Sequence, residues 1–197
     1  MEFELFFNTY LNYNNFKDII VTTFAEIAKK VDIRNDEEGY YLSHDYFSIT
    51  IFKETFGLDM IEEDYNLKVT SSISIDLFAK AVEEGMRLLL KVIGSLLKKI
   101  EGDSIFLGDS STIIFKKVDN VIYTYNNPEQ YYFKISFDDL GEGVDVKYIE
   151  WDDYIVLHNH QSTIGVVHNP VNLLHEWTFP ASVTPITTPM PNIRPLW

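Results

Sequence analysis

The sequence predicts an α+β fold, and three observations carry this prediction. Two segments repeat apolar residues at helical spacing, and several others alternate apolar with polar residues as strands do. The stretch GDSIFLGDSSTIIFKKVDNVIYTY, Gly102–Tyr125, reads as strand, turn, strand, turn, strand. Together these patterns predict a sheet that is covered by two main helices on one face.

The chain opens with an apolar, aromatic strand over Glu2–Phe7, and a helix follows it. Asn14 or Asn15 can begin this helix, because its side chain can accept a hydrogen bond from a free amide of the first turn. The helix is expected to end near residue 31. The buried stripe of this helix consists of Phe16, Ile20, Phe24, Ile27 and Val31. The segment RNDEEG (34–39) is predicted to be a charged turn.

Two extended stretches come next, YFSITIF (46–52) and NLKVTSSISI (66–75). The segment between them is acidic and contains Gly57, so it is interpreted as a loop, with or without a helical turn. Its carboxylates are expected to form an ordinary loop surface. They are Glu54, Asp59, Glu62, Glu63 and Asp64.

Asp76 is expected to cap the clearest helix, from about Leu77 to Glu101. Lys98 and Lys99 fall at its end, where the helix dipole favours cations, and Gly102 is a natural stop. The lysines therefore need no ligand to explain them. The apolar face of this helix is formed by Phe78, Val82, Leu89, Ile93, Leu96 and Ile100.

A β meander is predicted after this helix. Asp119–Asn120 serves as a two-residue hairpin link, because Asp and Asn tolerate the positive φ angles that such a link needs. The predicted strands are Ser104–Leu107, Thr112–Val118, Val121–Tyr125 and Tyr131–Phe137, with Val144–Ile149, Tyr154–His158 and Ile164–His168 as further candidates. The order of the first elements is that of a ferredoxin-like β-α-β-β-α-β start, extended by an antiparallel meander.

The proline distribution predicts the domain organisation. Five of the seven prolines lie at or beyond Pro180, where they exclude an ordinary helix or central strand. We therefore expect a single α+β domain over residues 1–179 and an extended proline-rich tail over 180–197.

Charge and composition narrow the classes of function. The 197 residues carry 30 acidic against 16 basic side chains, a formal net charge of −14. Such a surface repels nucleic acid and anionic membranes and attracts a basic protein partner. With no cysteine, disulfides, thiolate metal sites and cysteine nucleophiles are excluded. The acidic N-terminus and the lack of a long apolar run predict a cytoplasmic protein.

An acidic run with interleaved aromatic residues is the main candidate for partner binding. Rigid aromatic side chains anchor protein interfaces, and surrounding charges steer a partner of opposite sign. The candidate residues are Asp138, Asp139, Glu142, Asp145, Tyr148, Glu150, Trp151, Asp152 and Asp153. A solvated acidic loop is the alternative interpretation of the same run.

The histidines give a second, competing candidate. On a strand, His158 and His160 face the same way, and a hairpin can bring His168 beside them. Three imidazoles can hold zinc with an open fourth position, as in a metal-dependent hydrolase. No carboxylate stands at the spacing of a zinc hydrolase motif, and neither a nucleophile elbow nor a phosphate-binding loop is present. Surface histidines without a ligand are the simpler interpretation, and no cofactor is expected.

The stretch FELFFNTYL, the helix from Phe16 and the long helix running into GDSIFLGDSSTIIFKKVDNVIYTY together carry a family resemblance. Over roughly residues 1–137 the chain resembles the immunity proteins of bacterial polymorphic toxin systems, in particular those paired with toxins exchanged between sibling cells. The resemblance implies a cytosolic, non-enzymatic protein that binds and blocks a cognate toxin, and the acid surplus predicts that the toxin domain is basic. A structural or assembly subunit, with the tail laid on a neighbouring chain, is a third hypothesis.

Overall fold

The computed structural model describes residues 1–109, 112–125 and 135–149, which form an α+β fold. The strands are β1 (Glu2–Phe7), β2 (Asp32–Asn35), β3 (Gly39–Ser43), β4 (Phe47–Phe52), β5 (Ser71–Leu77), β6 (Ser104–Gly108), β7 (Thr112–Val118), β8 (Val121–Tyr125) and β9 (Asp145–Ile149). The α-helices are α1 (Tyr13–Ala28), α2 (Leu58–Tyr65) and α3 (Val82–Lys99). Short 3-10 turns at Ala79–Ala81 and Phe137–Leu140 precede α3 and β9.

These strands form one mixed sheet in the order β2-β3-β4-β5-β1-β6-β7-β8-β9. Strand β1 lies at its centre and pairs antiparallel with both β5 and β6, so that Phe3 stands between Ile75 and Gly108. The neighbouring strands are antiparallel throughout, except that β8 and β9 run parallel.

The two faces of β1 contribute to two different apolar clusters. Phe3, Leu5 and Phe7 pack with α1 and α3, whereas Phe6 packs with Ile61 of α2. Since successive side chains of a strand point to opposite faces, α2 lies on the side of β1 away from α1 and α3. Helix α2 has only eight residues, so it covers a small part of this face of the nine-stranded sheet.

The segment predicted as a charged turn is the tip of a hairpin that the sequence analysis missed. Strands β2 and β3 pair on either side of it, with Asn35 opposite Tyr40. All four residues of β2 are exposed at the edge of the sheet, so no apolar alternation marks the strand. Helix α1 consequently ends at Ala28, earlier than predicted.

Two predicted helix caps are wrong. The side chain of Asn12, rather than that of Asn14 or Asn15, caps α1 by accepting from the backbone N–H of Asn15 at 3.0 Å. Asp76 is not a cap, because its backbone pairs with Glu2 inside β5, and α3 begins only at Val82. Pairing with β1 and β4 on both sides keeps β5 extended to Leu77.

The antiparallel meander holds for β6, β7 and β8 and ends there. The Asp119–Asn120 link is confirmed, with φ angles of 50° and 63°. Strand β9 is parallel to β8, and the described segment before it packs Phe137 and Leu140 in the cluster that contains α3. Phe137 therefore belongs to a 3-10 turn and not to the predicted strand Tyr131–Phe137.

Among the described residues, no helix is both long and apolar enough to cross a membrane. The predicted strands Tyr154–His158 and Ile164–His168, the domain boundary after residue 179 and the proline-rich tail over 180–197 lie outside the described residues.

Candidate functional site

A cavity of about 850 Å³ lies on the α2 side of the sheet. Its floor is formed by Glu4 and Phe6 of β1 and by Ser72 and Ser74 of β5. Glu4 pairs with Ser74, and Phe6 with Ser72, so that four side chains form two adjacent rows on one face. The short hydroxyl side chains of β5 leave room above the sheet that larger residues would fill.

Helix α2 supplies one wall of this cavity through Met60, Ile61, Asp64 and Tyr65. Gly57, the residue before this helix, has a φ of 72° in the left-handed region, which glycine adopts without strain. Ile61 is buried in the cluster that contains Phe6 and thereby fixes the helix to the sheet. The side chains of Met60 and Asp64 line the cavity.

The opposite rim is formed by the segment 52–57 and by the tip of the β2–β3 hairpin. Lys53 joins the two, because its Nζ donates to the carbonyl oxygens of Asp36 and Glu37 at 2.7 and 3.0 Å. The Asp36 carboxylate accepts from the backbone N–H groups of Glu38 and Gly39. These bonds, above all that from Glu38, lower the pKa of Asp36 and hold Glu37 and Glu38 at the cavity mouth.

The cavity lining is strongly acidic. Its single described cation, Lys53, already serves the backbone carbonyls of the hairpin. The ion pairs of the described residues are Lys17–Asp18, Arg87–Asp139 and Lys99–Glu26, all at other places. A cleft lined by one sign of charge focuses the electrostatic field and concentrates ions of opposite sign. The carboxylates that line it are Glu4, Glu37, Glu38, Glu54 and Asp64.

Large apolar side chains stand exposed around the same cavity. Phe56 is 85% exposed, Met60 is 60% exposed and Phe52 is 38% exposed. Inside, burial raises the pKa of the Tyr65 hydroxyl, and the charge of Asp64 raises it further. Exposed apolar groups rimmed by charges are typical of surfaces that bind another molecule.

The acidic run predicted as a binding face is only partly described. Asp138 and Asp139 lie in the 3-10 turn that packs on α3, and Asp139 Oδ2 is 3.7 Å from Nε of Arg87. Glu142 and Asp145 are exposed. Glu150, Trp151, Asp152 and Asp153 lie outside the described residues.

Tyr148 is the described aromatic residue of this run. Its side chain is 56% exposed, and its ring meets that of Phe137 edge-on with 6.3 Å between centroids. The described residues of this run lie in β9 and in the segment just before it. Since β9 is four places from β1 in the sheet, these residues form a surface separate from the cavity.

The predicted zinc ligands His158, His160 and His168 lie outside the described residues. The described part of the chain contains no group of three or more His, Cys, Asp or Glu side chains arranged to hold a metal ion.

Sequence reasoning missed the cavity and treated two of its carboxylates, Glu54 and Asp64, as ordinary loop surface. The available signal was that the acidic segment also contains the large apolar residues Phe56 and Met60. A loop that is only solvated has no need of such side chains. The floor gave no local signal, because Glu4 and Ser74 are 70 positions apart and meet only through strand pairing. Comparisons with protein-family models, with curated proteins and with solved structures found no match for this chain.

Proposed function

We propose that this chain is a cytosolic immunity or inhibitor protein, which binds a cognate basic toxin domain and blocks it without catalysing a reaction. The observation that carries the proposal is the cavity, where five carboxylates stand beside exposed Phe56 and Met60. Such a surface suits a basic protein, because the carboxylates attract it and the apolar side chains are buried in the complex.

The overall charge supports the same class of partner. At a net charge of −14, the chain attracts a basic domain over a distance of about one Debye length, roughly 8 Å at physiological salt. A nucleic acid, which carries the same sign of charge, is disfavoured. The resemblance to toxin-neutralising proteins, described above, points to the same function.

We also infer that a ferredoxin-like unit lies at the centre of the fold. Support comes from the strand order β4-β5-β1-β6, in which β5 separates β1 from β4 and both pairings of β5 are antiparallel. On this interpretation, α1 and α3 are the two helices of the unit, and both pack with Phe3, Leu5 and Phe7. The β2–β3 hairpin and α2 are then insertions, and both contribute to the cavity.

Co-expression with the protein encoded by the neighbouring gene tests the function. We expect that protein to arrest growth when expressed alone and this chain to restore growth by forming a complex with it. Unchanged toxicity in the presence of folded chain, or recovery without a complex, would count against the proposal.

Paired charge reversals assign the contact surface. One variant carries Glu37→Lys and Glu38→Lys at the cavity, and its matched control carries Asp138→Lys and Asp145→Lys in the acidic run. Both change the net charge equally, so a difference between them reports a local contact. We expect the cavity variant to lose at least about tenfold more affinity for the partner. A larger loss of affinity in the control would assign binding to the acidic run. Unchanged affinity in both variants would show that neither surface binds the partner.

A further inference from the structure

We propose that the cavity binds an arginine side chain of the partner and that Glu4, on the cavity floor, is the carboxylate that pairs with the guanidinium. This inference rests on the proposed function, because it names the chemistry by which the partner is recognised. It predicts a short arginine-containing segment as the occupant.

The setting of Glu4 is the first reason. Glu4 lies on the central strand, half-buried, with Ser74 opposite it on one side and Leu107 on the other. Its Oε1 is 3.5 Å from the Ser74 hydroxyl, a long hydrogen bond, and no described cation lies within 4 Å of the carboxylate. A partly desolvated carboxylate with unused acceptor capacity favours a charged donor from a ligand.

The surroundings of Glu4 suit the rest of an arginine side chain. Phe6 and Ile61 provide apolar surface for its methylene groups, and the Tyr65 ring lines the same space. Ser72 and Ser74 offer hydroxyl oxygens that can accept from the remaining N–H groups of a guanidinium. A flat, multiply donating guanidinium uses such a set of acceptors better than the compact ammonium of lysine, which is why we assign arginine.

Charge and size agree with a peptide segment as the occupant. Glu37, Glu38, Glu54 and Asp64 line the cavity with negative charge, and the Nζ of Lys53, which also lines it, is bonded to the hairpin carbonyls. A cavity of about 850 Å³ is in the range that holds a drug-sized ligand, so it has room for an arginine and its neighbouring residues. The exposed ring of Phe56 at the rim favours an aromatic residue next to that arginine.

Three acetylated peptide amides test the inference on the full chain: Gly-Arg-Phe, the same peptide with uncharged citrulline, and the same peptide with lysine. Affinities are measured by NMR titration of ¹⁵N-labelled protein. We expect the arginine peptide to bind at least about tenfold more tightly than the citrulline peptide, a difference of one charged contact. Changes in amide chemical shift on peptide binding are expected at β1, β5 and α2.

Glu4→Gln is the decisive variant, and Glu2→Gln is its matched control. Glu2 and Glu4 lie on the same face of β1, but Glu2 is exposed and does not line the cavity. We expect Glu4→Gln to lower the affinity for the arginine peptide at least about tenfold. Glu2→Gln is expected to change that affinity less than about twofold. Equal losses in the two variants, equal affinity for the citrulline peptide or for the lysine peptide, or shifts confined to other surfaces would overturn the assignment.

If the Glu4→Gln variant does not fold, the comparison of the three peptides on the unmodified chain still tests the inference. Failure here is also distinguishable from failure of the proposed function. A chain that neutralises the toxin but does not prefer the arginine peptide refutes only the arginine site. A chain that binds the arginine peptide through Glu4 but leaves the toxin active refutes only the immunity function.

Discussion

Two neighbouring lysines on β7 show how single residues of this chain resolve a conflict between charge and burial. Lys116 and Lys117 are each only 4% exposed and point to opposite faces of the sheet. Nζ of Lys116 donates to the carbonyl oxygen of Tyr65 at the end of α2, and Nζ of Lys117 donates to that of Leu97 in the last turn of α3. Each lysine thus satisfies a carbonyl near a helix end, where cations are favoured.

Burial lowers the pKa of Lys117, and the nearby carboxylate of Asp103 offsets this only in part. Between that lowered value and the ordinary value of 10.5, the unfolded chain binds more protons than the folded chain. The free energy of unfolding therefore contains a term that rises with pH through this window. We expect Lys117→Met to remove this contribution and to leave that of Lys116, whose pKa burial also lowers. Urea unfolding at several pH values below 10.5 measures the change.

Lys91→Met, at an exposed position of α3, is the control for this pH effect. In this variant the free energy of unfolding is expected to rise with pH as steeply as in the unmodified chain. Identical slopes in the Lys117→Met variant and in the unmodified chain would show that Lys117 does not titrate differently in the folded state.

At the residue scale, the sequence predicts chemical types better than contacts. The positive-φ turn at Asp119–Asn120 is confirmed, whereas the carbonyl partners of Lys116 and Lys117 carry no sequence signal.

The predicted caps are wrong for two reasons. Asn12, Asn14 and Asn15 all stand near the start of α1, and spacing does not decide between them. Asp76 is held in β5 by its pairing with Glu2.

At the scale of elements, Gly94 is the point at which α3 meets the 3-10 turn at Phe137–Leu140. A β-carbon at position 94 would collide with the backbone carbonyl oxygen of Leu140. The glycine therefore permits close packing of the turn, and Leu140 is buried as a result. This contact also positions Asp138 and Asp139, the first residues of the acidic run.

Gly94→Ala tests that contact. In an open helix this change would stabilise by about 1 kcal/mol through helix propensity. Here we expect it to lower the free energy of unfolding by about 1–3 kcal/mol, because the turn must move away from α3. Urea unfolding measures the change, and Lys91→Ala on the exposed face of α3 serves as the control, within about 0.5 kcal/mol of the unmodified chain. A more stable Gly94→Ala variant would show that the turn does not need this close approach.

The elements that the sequence predicted well are those with one clear apolar face. Helix α3 and strands β1 and β4 belong to this group, since each buries a regular series of side chains. Helix α2 and strand β2 do not: α2 has Ile61 as its one buried residue, and β2 is wholly exposed. The parallel direction of β9 leaves no trace in apolar periodicity, because both strand directions bury the same side chains.

At the scale of the whole molecule, the acidic surplus was readable from composition, whereas the cavity was not. Its floor and walls come from residues 4 to 74, brought together by strand order rather than by spacing in the chain. Short-range patterns therefore predict the electrical character of the candidate site but not its position.

The surplus charge leads to a kinetic prediction. We expect the association rate with the basic partner to fall by about tenfold or more when salt is raised from about 0.01 to 1 M, because the Debye length shrinks from about 30 to 3 Å. Stopped-flow mixing measures this rate. The Glu37→Lys, Glu38→Lys variant is expected to show a shallower salt dependence, and a rate independent of salt would exclude electrostatic steering.

The central position of β1 has a consequence for the biosynthesis of this protein. Phe7 is translated before both of its strand partners, Ser71 and Ser104. At about 5–20 residues per second, an interval of about 100 residues lasts roughly 5–20 s. During that time the apolar segment Phe3–Phe7 can pack on α1 but lacks its strand partner β6. One edge of β1 is therefore open to aggregation, or needs a chaperone, until Gly108 has emerged.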